Sequence, residues 1–501
     1  MKKTFLFLLL AVLGLNTAQA RRIFVAQGAS GTGNGSSWAN AYPNVPAAIT
    51  SAVSGDEIWV KQGSYFLPAT GVYASFVLKN GVLLYGGFAG TETLLSQRDF
   101  VNNTTILDGQ GIVYNVVTGS GVSASTRLDG FVITGGNANL PSGVTDNTNT
   151  GGGIFISGGS PIIANCTISN NQALAGGSAI NQTGASSSAK VQNCTIRENS
   201  NQAIRADGGT MRITGTTIAF NQISAIASVG SLSMDRCNIS GNAASNYLIY
   251  STGTTLITNT LIVGNSVNGK VLGISAGSST ITNCTIANNN QALSSNVIYI
   301  LAGTNPANTF INSTVIWQNN NNVSAVQFAS GQPYSYGVNN SFTNTPLPRF
   351  VTPGATADAP FNSADYDYHL QLGSPLIDAG SDANATSGTD LDNNPRIVGT
   401  HVDIGAYESS YVATISATIN DAKLLKISPN PITNFCTLDL ALLEGANLVQ
   451  IMDSNGKLLL TKNVQNNINP QIDLSAFANG IYLLQVVTNT YTVTQKIAVI
   501  R

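Results

Sequence analysis

Short runs of β-branched and other apolar residues, separated by Gly, Asn and Ser, recur through the middle of the chain. They align on a four-residue pattern whose successive copies are 21 to 29 residues apart. A period of this length, built from strand-sized runs without long amphipathic stretches, predicts an all-β solenoid and not a helical repeat. The copies are Asn165–Ile168, Asn193–Ile196, Gly215–Ile218, Arg236–Ile239, Asn259–Ile262, Asn283–Ile286 and Asn312–Val315.

An asparagine follows the first six copies at one fixed place, five residues beyond the second position of the pattern. Stacked coils lie about 4.8 Å apart, so the amides of such a row can hydrogen-bond along the stack. We predict an asparagine ladder; the alternative is a row of exposed glycosylation acceptors, because Asn165, Asn193 and Asn283 each stand in Asn-Cys-Thr. The predicted ladder consists of Asn171, Asn199, Asn221, Asn242, Asn265 and Asn289.

Four of the five cysteines share the second position of the pattern with Thr216, Thr260 and Ser313. Exchange between Cys, Thr and Ser is typical of a small site that faces the core, which predicts buried free thiols. A disulfide between Cys166 and Cys194, which lie on adjacent coils, is the alternative in an exported protein. A metal site is not indicated, because the cysteines form no Cys-x-x-Cys motif and no His is near them in the sequence. The four are Cys166, Cys194, Cys237 and Cys284.

Less regular coils are predicted on the N-terminal side of this block. Leu128–Asn137 fits one more unit, and Ala138–Gly153 a loop that leaves the stack. Asp56–Val60 and Ser75–Leu78 have the composition of strands. We predict a short helix at Pro46–Val53 that caps the solenoid, because an open end exposes core and strand edges.

The first twenty residues predict a secretory signal peptide. Lys2 and Lys3 precede an apolar stretch, Phe5–Leu15, and Ala18–Ala20 forms a small-residue cleavage site. The stretch is shorter than the roughly 20 residues that span a bilayer, and no later apolar run is long enough either. We therefore expect no transmembrane segment in the mature chain.

The composition limits the function classes. Only 9% of the 501 residues are charged, the formal net charge is −2 and 43% are hydrophobic. The hydrophobic fraction is sufficient for an ordered core. No basic patch is available for phosphate backbones, so we expect no nucleic-acid partner.

The last part of the chain has a different pattern, which predicts a small β-sandwich. Lys426–Pro431 opens a set of short strands, Asp453–Gly456 fits a hairpin turn and Asn479–Val486 a late strand. A generic carbohydrate-binding sandwich is one interpretation of this pattern. The predicted divisions are a signal peptide at 1–20, a β-helix at 21–410, a linker at 411–425 and a terminal domain at 426–501.

Several segments resemble known families. Gly33–Tyr42, Gly55–Val60 and Tyr85–Glu92 are similar to the N-terminal cap of secreted pectin-lyase-like proteins of Bacteroidota, and Ser374–Gly380 with Asp390–Glu408 to their choice-of-anchor Q segment. The resemblance covers about residues 23–410 and implies a right-handed parallel β-helix followed by the small Ig-like β-sandwich. It implies little about activity, because this fold supports lyases, hydrolases and adhesins.

The terminal domain resembles the type A sorting domain of the type IX secretion system. This implies a secreted or cell-surface protein with the type IX secretion machinery as a partner. The motif residues that carry the resemblance are Pro429, Asn430, Pro431, Gly480, Tyr482 and Lys496.

The sequence names no catalytic residues. The histidines, His369 and His401, lie outside the regular repeat, and we expect structural roles for both. Paired aspartates with Gly-His-Gly, as in polygalacturonase-type hydrolysis, are absent. The charges of the regular block are expected to form a solvated face; in the alternative they line a lyase groove. They are Arg197, Glu198, Arg205, Asp207, Arg212, Asp235 and Arg236.

One segment is rich in acidic residues, and its alternating oxygen ligands at 390–394 suit Ca²⁺. It lacks the Gly and Glu that an EF-hand loop requires. We expect turn-forming side chains and no cofactor or metal, with Ca²⁺ as the alternative. The residues are Asp378, Asp382, Asp390, Asp392, Asn394 and Asp403.

These observations favour a binding or adhesion protein, directed at extracellular polysaccharide or a neighbouring cell surface, more than an enzyme. The alternatives are a polysaccharide lyase or glycoside hydrolase on the same fold, and a purely structural surface component. An acidic groove beside a Lys or Arg favours the lyase, whereas exposed aromatic rows favour glycan binding.

Overall fold

The structure is a computed structural model that describes most of the chain. The predicted signal peptide, except Ala20, and the predicted linker, except Leu425, lie outside the described residues. The described residues are 20–410 and 425–501 without 68–70, 141–147, 276, 292–296, 302–308, 320–325, 329–335, 340–341, 344–346, 386–387, 441–442, 444–445, 454–456, 466 and 489–491.

In each coil the chain contributes one strand to each of three parallel sheets, which confirms the right-handed parallel β-helix. Sheet 1 contains Arg22–Val25, Glu57–Lys61, Leu83–Phe88, Arg127–Asp129, Ile162–Ala164, Lys190–Gln192, Thr210–Thr214, Ser231–Asp235, Thr255–Thr258, Ser279–Thr282, Thr309–Asn312 and Tyr336–Asn339. Sheet 2 contains Gly63–Phe66, Thr105–Asp108, Val132–Thr134, Thr167–Ser169, Thr195–Arg197, Thr217–Ala219, Asn238–Ser240, Leu261–Val263, Thr285–Ala287, Val315–Trp317 and Phe342–Thr343. Sheet 3 contains Phe76–Val77, Val117–Ser120, Ile154–Ser157, Ile180–Thr183, Ile204–Asp207, Ile226–Ser228, Tyr247–Ser251, Lys270–Ile274, Ile298–Ile300 and Val326–Phe328.

Alternation along each short strand sends one side chain inward and its neighbours outward. The inward residue of sheet 2 is isoleucine in eight successive coils, all at most 3% exposed and paired in register. Each buried isoleucine contributes about 1.5–3 kcal/mol of hydrophobic stabilisation. The column consists of Ile133, Ile168, Ile196, Ile218, Ile239, Ile262, Ile286 and Ile316.

The corner between sheets 1 and 2 explains the first two positions of the pattern. The first residue has a left-handed backbone, with φ of 50° at Asn165 and 53° at Asn283, which Asn tolerates better than most residues. The second residue points inward and donates to the carbonyl two residues earlier: Cys166 Sγ to Ala164 O at 3.1 Å, for example. Asn283 is fully buried, which argues against a row of glycosylation acceptors.

The four cysteines of the pattern are buried free thiols, as the sequence predicted, and Cys436 in the terminal domain is also buried and free. Cys166 and Cys194 lie on adjacent coils without forming the alternative disulfide. Burial raises the pKa of the Cys237 and Cys284 thiols to about 12, which makes them poor nucleophiles.

The alignment of the last copy of the pattern was wrong by one residue. Val315 and Ile316 pair with Thr285 and Ile286, so Ser313 occupies the corner and Thr314 takes the inward place. Ser313 accordingly has a φ of 45°. Thr314 Oγ1 donates to the carbonyl oxygen two residues earlier, Asn312 O, at 2.9 Å, as the thiols of the equivalent cysteines do.

The asparagine ladder is confirmed at the corner between sheets 2 and 3. Nδ2 of each asparagine donates to Oδ1 of its counterpart in the next coil, at 3.2 Å from Asn171 to Asn199 and at 2.7 Å from Asn265 to Asn289. The backbone N–H of the same residue donates to the same oxygen, and Nδ2 also reaches a backbone carbonyl in the preceding coil. Asn319, five residues after Thr314, extends the ladder by one member, because Asn289 Nδ2 donates to its Oδ1 at 2.7 Å.

The predicted N-terminal cap is present as an α-helix at Val45–Ser51, slightly earlier than expected, with Asn44 as its N-cap. Its buried residues Val45, Ala48 and Ile49 belong to the main core. The helix thus covers apolar surface at the start of the solenoid. No described helix is long and apolar enough to cross a membrane.

Short ladders and 3-10 turns complete the β-helix. The strand Asn137–Ala138, where the predicted loop 138–153 starts, pairs with Gln172–Ala173. Residues 141–147 of that loop lie outside the described part of the chain. A second ladder joins Ala243–Ala244, Ser266–Val267 and Asn290–Gln291. The 3-10 turns are Leu95–Gln97, Thr356–Asp358, Ser363–Asp365 and Asp382–Asn384.

Residues 347–410, the closing segment, lie across the outer face of sheet 2. The segment contains an antiparallel pair, Phe350–Thr352 with Asp367–Leu370. The outward column that holds threonine in earlier coils keeps it beneath the segment at Thr285, which accepts the backbone N–H of Ala406, but is apolar on either side of it, at Leu261 and Val315. These apolar residues and the closing segment form a second hydrophobic cluster.

The interior of the closing segment contains a charged group that the sequence pattern does not indicate. Arg396 is 2% exposed and lies among the buried carboxylates of Asp390, Asp403 and Glu408. Glu408 accepts the backbone N–H groups of Val398 and Asp403. Burial, followed by the charge of Asp403, raises the pKa of Glu408 to about 7.

The terminal domain forms two antiparallel sheets around a core of its own, which confirms the small β-sandwich. The predicted hairpin turn falls partly on residues outside the described chain, 454–456, between two paired strands. One sheet contains Lys426–Ser428, Phe435–Asp439 and Gln471–Asp473; the other contains Ala446–Met452, Leu458–Asn463, Gly480–Thr488 and Thr492–Val499.

The ladder generates a prediction about stability. Asn242→Leu should lower the free energy of unfolding by about 1–3 kcal/mol, because Asn221 loses its acceptor and Asn265 loses a donor inside the core. Thermal melting measures the loss, and Asn246→Leu, at an exposed position, is the control. An unchanged melting temperature for the Asn242 variant would contradict the ladder.

Glu408 generates a prediction about pH. Because its folded pKa lies above its ordinary value, its contribution to stability is present below about pH 4.5 and is lost as the pH rises through about 7. The raised pKa values of Asp403 and His369 act in the same direction. The melting temperature should therefore fall from pH 5 to pH 8, and less steeply in Glu408→Gln than in the exposed control Glu198→Gln. Equal slopes in the two variants would refute the assignment.

Candidate functional site

The structure does not bring the charges of the regular block together. Arg205 pairs with Asp207 at 2.7 Å on sheet 3, whereas Arg197 pairs with Glu198 at the end of a sheet 2 strand. Arg236 pairs with its neighbour Asp235 at 2.9 Å, and Arg212 lies on sheet 1. These residues are spread over three faces, so they do not line one groove.

The acidic residues of the closing segment organise turns. Asp390 accepts the backbone N–H groups of Asp392, Asn394 and Glu408, at 2.8 to 3.0 Å. Asp378, Asp382 and Asp403 also accept backbone N–H groups, as turn-forming side chains do. Within the described chain, no three His, Cys, Asp or Glu side chains are placed to hold a metal ion.

Each histidine binds carboxylates of the closing segment. His369 Nδ1 lies 2.6 Å from Asp367 Oδ1, and its Nε2 lies 2.7 Å from Asp392 Oδ2. Burial alone would lower the pKa of His369, but the two carboxylates outweigh it and the pKa is raised. With both ring nitrogens occupied, His369 has no free nitrogen to act as a base. His401 Nδ1 similarly contacts Asp382 at 2.9 Å.

A polar cleft of about 260 Å³, which we call the junction cleft, lies where the closing segment meets the uncovered part of sheet 2. Its floor comes from the corner and strand residues of successive coils, and its wall from the loop at 391–393 and Tyr407. The lining residues are Asn193, Gly215, Thr216, Thr217, Arg236, Asn238, Leu391, Asp392, Asn393 and Tyr407.

A group of three tyrosines, which we call the tyrosine platform, lies on the outer face of sheet 3. The rings of Tyr247 and Tyr250 stack with centroids 5.3 Å apart. Tyr250 and Tyr299 occupy the same register position on either side of Gly273. All three side chains are partly exposed. Burial raises the pKa of Tyr247, and the nearby Tyr299 and Tyr250 add to the effect.

Gly273 allows this arrangement, because a Cβ atom there would lie 2.5 Å from Cδ1 of Tyr247. The missing side chain lets the Tyr247 ring pack directly on the backbone of the neighbouring coil. Lys270 Nζ lies 5.2 Å from the centre of the Tyr299 ring, at a distance typical of a cation–π contact. The platform is therefore held by packing on both sides.

A recess of about 350 Å³ adjoins the platform and combines apolar and polar groups. Sequence analysis did not identify this site, although aromatic residues at outward positions of neighbouring coils were a usable signal. The register that aligns Tyr299 with Tyr250, two coils away, is fixed only by the coil lengths. The lining residues are Gln202, Ile223, Ser224, Ala227, Ser245, Asn246, Tyr247, Tyr250 and Leu301.

The terminal domain brings its motif residues together. Asn430 Oδ1 accepts the backbone N–H of Ala498 at 3.0 Å, and its Nδ2 donates to Lys496 O at 3.4 Å. Pro431 and Pro429 both follow cis peptide bonds. The Pro-Asn-Pro segment is thereby attached to the last strand.

The other motif residues lie on the strand paired with that last strand. Gly480 pairs with Val499, and Tyr482 pairs with Ile497. The Tyr482 hydroxyl donates to Ala478 O at 2.9 Å. The motif therefore forms one contiguous part of the domain, and its role as a sorting signal stays a prediction for these individual residues.

Two family models match parts of the chain. The family model of the right handed beta helix region matches residues 178–345, and that of the secretion system C-terminal sorting domain matches residues 426–500. No curated protein matches the chain significantly. Among solved structures, the crystal structure of pectate lyase Pel9A is similar, with 13% identity and a TM-score of 0.48, over 78% of this chain and 97% of that chain.

The sorting-domain match also establishes the destination of the protein, which is the cell surface or the extracellular space. The matched residues coincide with the sandwich described above, and the β-helix match falls within the regular coils. The chain is thus a right-handed parallel β-helix protein with a C-terminal sorting domain of the type IX secretion system.

Proposed function

We propose that the exported β-helix binds glycans through the tyrosine platform and the recess beside it. The observation that carries this proposal is the row of Tyr250, Tyr247 and Tyr299 on an outer face, where the core does not need aromatic residues. Adhesion to polysaccharide or to a neighbouring cell surface follows if the bound glycan belongs to that surface.

The chemistry of the platform suits a sugar. One face of a pyranose ring presents C–H groups, which pack against the electron-rich face of an aromatic ring, while its hydroxyls remain free to hydrogen-bond. The recess supplies amides and hydroxyls for those groups from Gln202, Asn246, Ser224 and Ser245. An apolar surface with a few polar groups around it is the usual composition of a small-molecule site.

The rigidity of the platform supports the proposal further. Its tyrosines belong to strands that are hydrogen-bonded on both sides within a continuous parallel sheet. A surface whose side chains are already ordered before the ligand binds loses little conformational entropy on binding. The alternatives, a lyase or hydrolase, lack a comparable observation, because the charges of the regular coils are dispersed.

A glycan array probed with the mature chain tests the proposal. Tyr250→Ala should weaken binding to the glycans recognised by about tenfold, which corresponds to about 1.4 kcal/mol of lost stacking. Tyr73→Ala, at a tyrosine that is 69% exposed in an earlier coil, should have no effect. Absence of binding, or equal binding by the Tyr250 variant, would refute the role of the platform.

A second prediction concerns the sorting signal. In the native host, a chain that lacks residues 426–501 should fold and accumulate in the periplasm, because the domain has a core of its own. Lys496→Ala should reduce export, whereas Lys457→Ala, at another exposed lysine of the same domain, should not. Normal surface appearance of the truncated chain would contradict the sorting role, and equal export of the two lysine variants would exclude Lys496 from the signal.

A further inference from the structure

We propose that the junction cleft is a second carbohydrate site, which takes the terminal residue of a neutral glycan chain. The site lies on sheet 2 and involves none of the residues of the tyrosine platform on sheet 3. The proposal for the cleft is therefore independent of the proposal for the platform, and either can be refuted without the other.

The walls of the cleft present hydrogen-bonding groups that other described residues do not use. Asp392 contacts His369 through Oδ2, and its Oδ1 has no hydrogen-bond partner among the described residues. Asn393 accepts a hydrogen bond from Arg236 on Oδ1, and its Nδ2 likewise has no such partner. The Thr217 hydroxyl and the side-chain amide of Asn193 also make no hydrogen bond within the described chain. This mixture of donors and acceptors matches vicinal hydroxyl groups, since each hydroxyl both donates and accepts.

The electrostatics favour a neutral ligand. Arg236 pairs with Asp235 at 2.9 Å, and Asp392 is bound to His369 at 2.7 Å, so both charges that face the cleft already have partners. Asp367 adds a further negative charge on the other side of His369. The group as a whole is not positive, so a carboxylate or sulfate would lack a counter-ion here.

The shape of the cleft selects a chain end. On the C-terminal side, Asn238 and Ser240 are hydrogen-bonded to Ser363 and covered by the closing segment. On the N-terminal side, the outward positions of sheet 2 continue uncovered through Thr195 and Thr167. A glycan can therefore leave the cleft in one direction only, and the closed end holds its last residue.

The volume agrees with a single residue. At about 260 Å³, the cleft is smaller than drug-sized sites, which are about 300–1,000 Å³. One pyranose fills it, and further residues of the chain would lie over the threonines of the preceding coils.

Saturation-transfer NMR on the mature full chain tests the proposal, with methyl glycosides of neutral hexoses and pentoses as probes and glucuronate and galacturonate for comparison. At least one neutral glycoside should receive saturation, and the two uronates should receive none. Absence of transfer to every neutral glycoside, or stronger transfer to the uronates, would overturn the proposal.

Variants assign the signal to the cleft. Thr217→Val should weaken binding about three- to tenfold through loss of one hydrogen bond. Asn193→Gly should do the same without backbone strain, because Gly215 holds the equivalent left-handed corner one coil later. Thr167→Val, at the same register position two coils away, is the matched control and should bind normally.

Tyr250→Ala separates this site from the platform, and the part of the signal that depends on Thr217 and Asn193 should be unchanged in it. A signal that is lost in Tyr250→Ala, or retained in both Thr217→Val and Asn193→Gly, would overturn the assignment to the junction cleft. Circular dichroism confirms that each variant is folded.

Discussion

The stacking of one coil on the next is the constraint from which the rest of the structure follows. Parallel strands repeat at about 4.8 Å, so every position in a coil has the same position of the next coil as its nearest neighbour. An inward site must therefore suit its own copies. Isoleucine satisfies this condition by packing and asparagine by pairing, and both recur in columns through the core. A buried polar group that lacked such a counterpart would be costly.

The same constraint arranges the outer faces. A side chain at an outward position is placed by the backbone register, and neighbouring coils bring residues together that are far apart in sequence. Tyr250 and Tyr299 are aligned in this way, two coils apart, with Gly273 between them. On sheet 2, outward positions that are threonine in earlier coils are apolar at Leu261 and Val315. The closing segment covers the sheet where this change of composition occurs. The boundary between the covered and uncovered parts forms the junction cleft.

Sequence analysis succeeded where the pattern repeats and was less informative where it does not. The ladder and the buried thiols recur at fixed positions, so periodicity alone located them. Asn319 was missed because the final copy was aligned one residue early, at Ser313 and not Thr314. The tyrosine platform depends on the register of coils of unequal length, which the composition does not specify. The burial of Arg396 and Glu408 depends on long-range packing of the closing segment, so no local pattern indicated it.

The asparagine ladder also has a direction. In every pair, the amide nitrogen of the earlier coil donates to the oxygen of the later one, from Asn171 to Asn319. The side-chain dipoles are consequently aligned head to tail, an arrangement in which hydrogen bonds polarise and strengthen one another. The two surfaces between any pair of these coils are therefore unlike, since the asparagine of the earlier coil presents its side-chain and backbone N–H groups and the asparagine of the later coil presents the Oδ1 that accepts both. Coils joined in the reverse sense would oppose like groups, so the ladder encodes the polarity of the solenoid as well as its register.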